Sequence, residues 1–168
     1  MCYAGRMLSA IVLAPSDLTA ANMPAALVVR TLAALVPLVV QGLVRDVVLV
    51  GPSIPALSDI ADQGGCALSP TLAGAMAAAR VPWLLVITAG FAPEAGFADE
   101  AGDFIAAGRG AALMLARPDG LFTRLFPDSA ALAGVILPRS TPSASDLAGL
   151  ARLAAPRKTL ATRARRVG

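Results

Sequence analysis

The run Val81-Pro-Trp-Leu-Leu-Val-Ile-Thr-Ala-Gly90 is apolar almost from end to end and carries no acidic residue. Within it, residues 83–87 read as a strand, and the strand follows a stretch of small residues that reads as a helix over 71–80, stopped by Pro82. Two further apolar runs share its character: Leu8-Ser-Ala-Ile-Val-Leu13, and Asp46-Val-Val-Leu-Val50 between Arg45 and Gly51. Short connections between strands of this kind place them in a mostly parallel sheet with helices on both faces, an α/β architecture.

The intervening segments fit that alternation. Asn22 is placed to cap a helix with Pro24 in its first turn, Pro37 to break or restart it, and Gly42 to end the second piece. A short helix is expected over 56–63, closed by Gly64-Gly65, with a brief strand over 66–68. The second half is expected to contain helices over 98–107 and 143–155 and strands over 111–116 and 131–137, with a turn at Arg117-Pro-Asp-Gly120. The chain divides into one domain over 1–150 and a basic tail over 151–168.

At 168 residues, 57% hydrophobic and 4% aromatic, the chain has a core of small aliphatic residues, suited to close helix-on-sheet packing. The stretch 23–44 is long enough to span a bilayer, but Arg30, Pro37 and Gln41 interrupt it. A central arginine alone costs about 2.5–3.5 kcal/mol on insertion scales, so buried helices are expected there. No secretory signal is read at the start. Cys2 and Cys66 have no metal-ligand spacing and read as reduced thiols, giving a cytoplasmic protein, or one peripheral to the inner face of the membrane. The net charge of +3 is uneven: after Asp146 only Arg152, Arg157, Lys158, Arg163, Arg165 and Arg166 carry charge. Such a tail is either a solvated terminus or a surface for anionic lipid, phosphate or a protein partner. It lacks the interleaved aromatics of a nucleic-acid interface. An oligomer is compatible with so apolar a chain.

Ser53, Ser58 and Ser69 have no histidine to activate them, because the chain contains none. Gly108-Arg109-Gly110 is either a phosphate contact or a plain connector. Asp146 is either a general base or a helix cap. Asp17 is either a nucleotide contact or a turn residue. Trp83 reads as core.

The order of the pieces resembles family 2 glycosyltransferases of the GT-A fold, in a short bacterial subgroup. The resemblance rests on Leu8-Ser-Ala-Ile-Val-Leu-Ala-Pro15, Arg30-Thr-Leu-Ala-Ala-Leu-Val-Pro37 and Gly42-Leu-Val-Arg-Asp-Val-Val-Leu-Val50. It continues through Ile60-Ala-Asp-Gln-Gly-Gly65, Ala75-Met-Ala-Ala-Ala-Arg80, Trp83-Leu-Leu-Val86 and the weaker Ala133-Gly-Val-Ile-Leu-Pro-Arg139. It implies a Rossmann-like sheet whose strand ends cradle a nucleotide-diphospho-sugar, with Pro15, Ser16, Asp17, Gly51, Ser53 and Thr88 at the nucleotide. It also implies a divalent cation, Mg²⁺ or Mn²⁺, but Thr88-Ala89-Gly90 stands where the metal-binding carboxylates belong, and such ions prefer charged oxygens. Of the expected acidic pair near the acceptor only Asp146 remains, in Ser143-Ala-Ser-Asp146. The expectation is a degenerate glycosyltransferase-like protein with no metal ligands. The alternative is a non-catalytic protein docking on a partner or membrane through its apolar surface and basic tail.

Overall fold

The computed structural model describes residues 6–15, 23–108, 110–117, 131–156 and 158–167. Strand β1 (Leu8–Leu13) leads to helix α1 (Met23–Val40), and β2 (Val44–Val50) to α2 (Pro55–Gly64). The short β3 (Ala67–Ser69) leads to α3 (Leu72–Ala78), and β4 (Trp83–Thr88) to β5 (Phe91–Pro93) and α4 (Phe97–Ala106). Then come β6 (Ala112–Leu115), β7 (Leu132–Pro138), α5 (Leu147–Ala154), β8 (Lys158–Thr159) and β9 (Ala164–Arg166).

Seven strands form one sheet in the order β3-β2-β1-β4-β7-β6-β8, and β5 pairs with β9 in a separate two-stranded ribbon. The β1–β2, β1–β4, β2–β3 and β6–β8 pairs are parallel, while β7 runs antiparallel to both β4 and β6. The expected, mostly parallel α/β sheet is present, with one reversed strand inside it.

Both faces are covered. Leu8, Ala10 and Val12 of β1 and Leu85 and Ile87 of β4 pack under α1, α2 and α4, with Phe97, Ala101 and Phe104 from α4. Ile11, Leu84 and Val86 point the other way, against Leu72, Ala75 and Met76 of α3 and Leu147 and Leu150 of α5. The alternation has period two on strands without a polar face, as two-sided burial requires. Ser9 is the polar exception: fully buried, its hydroxyl donates to Asp46 Oδ1 at 2.6 Å and accepts from the Arg80 N–H at 3.1 Å. Trp83, half-buried at the start of β4, meets Phe104 edge-on at 5.9 Å.

Several local expectations change. Pro37 lies inside one continuous α1 and does not divide it. Proline removes only its own N–H, and here the helix ends one turn later, so little is lost. The end is closed by Gly42 at φ +77°, with Gly42 N–H donating to Val39 O at 2.9 Å and Leu43 N–H to Leu38 O at 3.0 Å. Asn22 lies outside the described residues, as do Cys2 and the residues of the expected turn after Arg117. The helix expected from 71 has Thr71 as its N-cap, accepting from Gly74 N–H, and the one expected from 143 begins at Leu147. The basic segment expected as a tail is held by strand pairing: β8 extends the sheet beside β6, and β9 joins β5. Among the described residues, no helix is long and apolar enough to cross a membrane.

The reversed strand depends on one glycine. A Cβ on Gly134 of β7 would stand 2.7 Å from Val86 O and 2.8 Å from Met114 Cε. Gly134→Ala should therefore destabilise the fold by about 2–3 kcal/mol through overpacking. Gly102→Ala in α4, whose new methyl would meet only Arg6 Cδ at 3.9 Å, should stabilise by about 0.5–1 kcal/mol. Urea unfolding of the two variants checks both signs.

Candidate functional site

The parallel strands all end at one edge, and the chain departs from β1 toward β2 and β3 on one side before crossing to β4 on the other. A crevice at such a reversal, between β1 and β4, is where open α/β sheets receive ligands. The ladder continues past the strand ends: Ala14 N–H donates to Val50 O at 2.8 Å, Gly51 N–H to Ser69 O at 3.1 Å, and Ala89 N–H to Leu13 O at 2.9 Å. Pro15, Gly51 and Thr88 are thereby brought to the same edge. Ser53 lies two residues beyond Gly51 and is exposed. Ser16, Asp17 and Arg109 lie outside the described residues.

Asp146 caps α5. Its Oδ1 accepts from Gly149 N–H at 2.6 Å, and an anion at that position complements the positive end of the helix. Among the described residues, no three His, Cys, Asp or Glu side chains come together to hold a metal ion. The described residues at this edge do not form a divalent-cation site. The Cys66 thiol is half-buried beside the Gly64 carbonyl, and burial pushes its pKa up.

The turn after β4 is fixed by a residue the sequence did not single out. Thr31, fully buried on α1, accepts from Gly90 N–H at 2.9 Å and donates to Phe91 O at 3.1 Å. Gly90 sits at φ +97°, and its carbonyl accepts from Val167 N–H at 2.9 Å. One hydroxyl thus joins α1, the end of β4 and the start of β5. A threonine inside an apolar helical run is the only trace of this in the sequence.

Two glutamates anchor the last strand. Glu100 of α4 accepts from Ala161 N–H at 2.7 Å and Thr162 N–H at 2.8 Å, with Lys158 Nζ at 3.9 Å. Partial burial raises its pKa, but the hydrogen bonds from Thr162 and Ala161 and the charge of Lys158 outweigh that, and the net shift is downward. Glu94 N–H donates to Arg163 O at 3.0 Å, and its carboxylate meets Arg117 Nη1 at 3.2 Å. Arg117 N–H in turn donates to Ala164 O at 2.7 Å, so Arg117 and Arg163 come to the edge where β6 ends. Arg163 Nη1 is buried without a hydrogen-bond partner among the described residues.

No protein-family model matches the chain, and no curated protein matches it. Solved structures do. The 4-diphosphocytidyl-2C-methyl-D-erythritol synthase of Anaerococcus prevotii superposes with a TM-score of 0.60 at 12% identity, over 97% of this chain and 90% of that one. The 2-C-methyl-D-erythritol 4-phosphate cytidylyltransferase of Thermus thermophilus gives 0.56 at 17% identity, over 94% and 89%. HddC of Yersinia pseudotuberculosis gives 0.51 at 12% identity, over 80% and 78%.

At these identities the similarity establishes the fold, a Rossmann-like α/β domain, and leaves the chemistry to this chain's own residues. It overturns the resemblance to family 2 glycosyltransferases, the GT-A assignment and the degenerate glycosyl transfer drawn from it. The pieces that carried that resemblance are the buried strands and the helix faces packed on them. Any sheet of this layout places small aliphatic residues there, so their order does not separate one family on this scaffold from another.

Two outcomes follow from the anchoring groups. Thr31→Val should cost about 1–3 kcal/mol, because it leaves the Gly90 N–H without its acceptor, and amide exchange at residues 90 and 91 should quicken. A carboxylate held below its ordinary value stabilises above that value and loses its effect as pH falls through the folded value. Protection of the 161 and 162 amides should therefore persist as pH drops past the ordinary 4.5 and disappear only at lower pH. In Glu100→Gln that pH step should be absent.

Proposed function

We propose that the chain is a nucleotide-binding protein of the cytidylyltransferase type, with the nucleotide in the crevice between the ends of β1 and β4. The observation that carries this reading is the likeness of the fold. This chain's sheet, parallel but for one reversed strand beside β4, belongs to a fold that superposes over nearly the whole chain on a synthase and a cytidylyltransferase named for diphosphocytidyl and cytidylyl chemistry. In this reading Pro15, Ser16, Asp17, Gly51, Ser53 and Thr88 flank the base and ribose. The partner is a nucleotide, and a phosphorylated alcohol is the fitting second substrate.

Transfer of a nucleotidyl group joins a phosphate oxygen of the acceptor to the α-phosphorus and releases pyrophosphate, so negative charge must be balanced throughout. The loop after β1 contributes little to that balance. Between Ala14 and Asn22 it contains no lysine, arginine or glycine, the residue types that usually cradle phosphates. No step is assigned to a divalent cation, since the described residues do not provide its ligands. The counter-charge in this reading comes from Arg163, with Arg117 beside it, because a buried guanidinium nitrogen without an acceptor is suited to an anionic oxygen.

Calorimetric titration of the full chain with CTP, UTP and GTP tests the reading. Saturable CTP binding is expected. Arg163→Met should weaken it about tenfold, the equivalent of roughly 1.4 kcal/mol, without lowering the stability of the nucleotide-free protein. An absence of binding by any of the three nucleotides overturns the reading, and equal CTP affinity in the variant removes Arg163 from it.

A further inference from the structure

A cavity of about 680 Å³ lies between α1, the β5–β9 ribbon and the start of α4. None of Pro15, Gly51, Ser53 or Thr88 lines it, so it is separate from the crevice between β1 and β4. Its volume falls in the range of small-molecule sites. We infer that it is a second binding site, for a small organic phosphate, with the phosphate held by Arg30 of α1 and Arg165 of β9.

Three arginines line the cavity: Arg30, Arg165 and Arg166. They come from segments far apart in the sequence, and only the pairing of β9 with β5 gathers them on one concave surface. Arg166 lies over the Phe91 ring at 5.9 Å, so the assignment rests on the other two.

The acidic groups nearby are directed elsewhere. Glu94 lines the cavity, but its carboxylate is paired with Arg117. Glu100 is taken up by Ala161, Thr162 and Lys158, and Asp99 borders a different cavity together with Arg6 and Asp103. The first turn of the ten-residue α4 opens at Gly96 and carries Asp99 and Glu100, which offset its backbone dipole, so the positive charge at the cavity comes from the arginines. Beyond Arg30 the same α1 wall continues through Ala33, Ala34, Pro37 and Leu38 to Gln41, a mostly apolar surface suited to the body of an organic ligand.

The test titrates the full chain with inorganic phosphate and with glycerol 3-phosphate, and separately with CTP. Saturable binding of glycerol 3-phosphate, tighter than that of inorganic phosphate, is expected. In the Arg30→Gln/Arg165→Gln double variant it should weaken by about tenfold or more, the loss of at least one charge-assisted hydrogen bond. The Arg30→Lys/Arg165→Lys variant should retain part of the affinity, because charge remains while the forked geometry is lost. CTP binding should be the same in all three proteins, which separates this site from the crevice whatever the outcome there. Undiminished affinity in the glutamine variant at an unchanged thermal midpoint overturns the assignment. So does the absence of saturable binding up to about 10 mM, an affinity too weak for a built site. Binding to phosphatidic-acid vesicles without binding to either soluble phosphate also overturns it and assigns the arginines to a lipid surface.

Discussion

The centre of the molecule is a pair of strands that never meets water. β1 and β4 lie side by side, with Leu8, Ala10, Ile11, Val12, Leu84, Leu85, Val86 and Ile87 fully buried between two layers of helices. Burial of both faces removes the polar alternation that a one-sided sheet would show. It also leaves each backbone N–H and C=O dependent on its neighbouring strand. Small and branched aliphatic side chains meet that requirement because helices can approach closely over them. The hydroxyl that β1 brings into this core, that of Ser9, is bound at both ends, as a buried polar group must be.

That constraint decides where polar chemistry can occur. With both faces closed, the edge where the parallel strands end remains, and there Ala14, Gly51 and Ala89, just past β1, β2 and β4, are tied to neighbouring strands. β7 is the other consequence. It enters from the opposite direction beside β4, and Gly134 gives it the space to do so. The strand order that results places the reversal in connectivity, and hence the crevice, between β1 and β4.

Charge in the C-terminal segment is organised by two glutamates on the far side of the core. The Glu100 carboxylate accepts from the Ala161 and Thr162 amides and the Glu94 N–H donates to the Arg163 carbonyl, so the chain is held from 161 to 163. The arginines of β9 are consequently fixed on a strand, and with Arg30 they give one surface a positive concavity. A partly desolvated carboxylate that accepts two backbone N–H groups is a stronger fastener than an exposed ion pair of the Arg6–Asp103 kind.

Periodicity and punctuation alone determined much of the architecture. The strands at 8–13, 46–50 and 83–87, the small-residue helix before β4 and the two-sided burial followed from apolar runs bounded by glycine and proline, which are local properties of the chain. The sequence also showed that carboxylates are missing from the loop after β4, and it offered Asp146 as a cap. Tertiary structure decided the rest. Pro37 stays within a helix because its turn is nearly the last one. Residues 158–159 and 164–166 form strands because β6 and β5 have free edges for them, although their sequence reads as solvated. The family is not legible, because the stretches that suggested it are framework common to sheets of this layout. Thr31 and Glu100 gained their roles through partners roughly 60 residues away, and no local pattern records which distant backbone a side chain will meet.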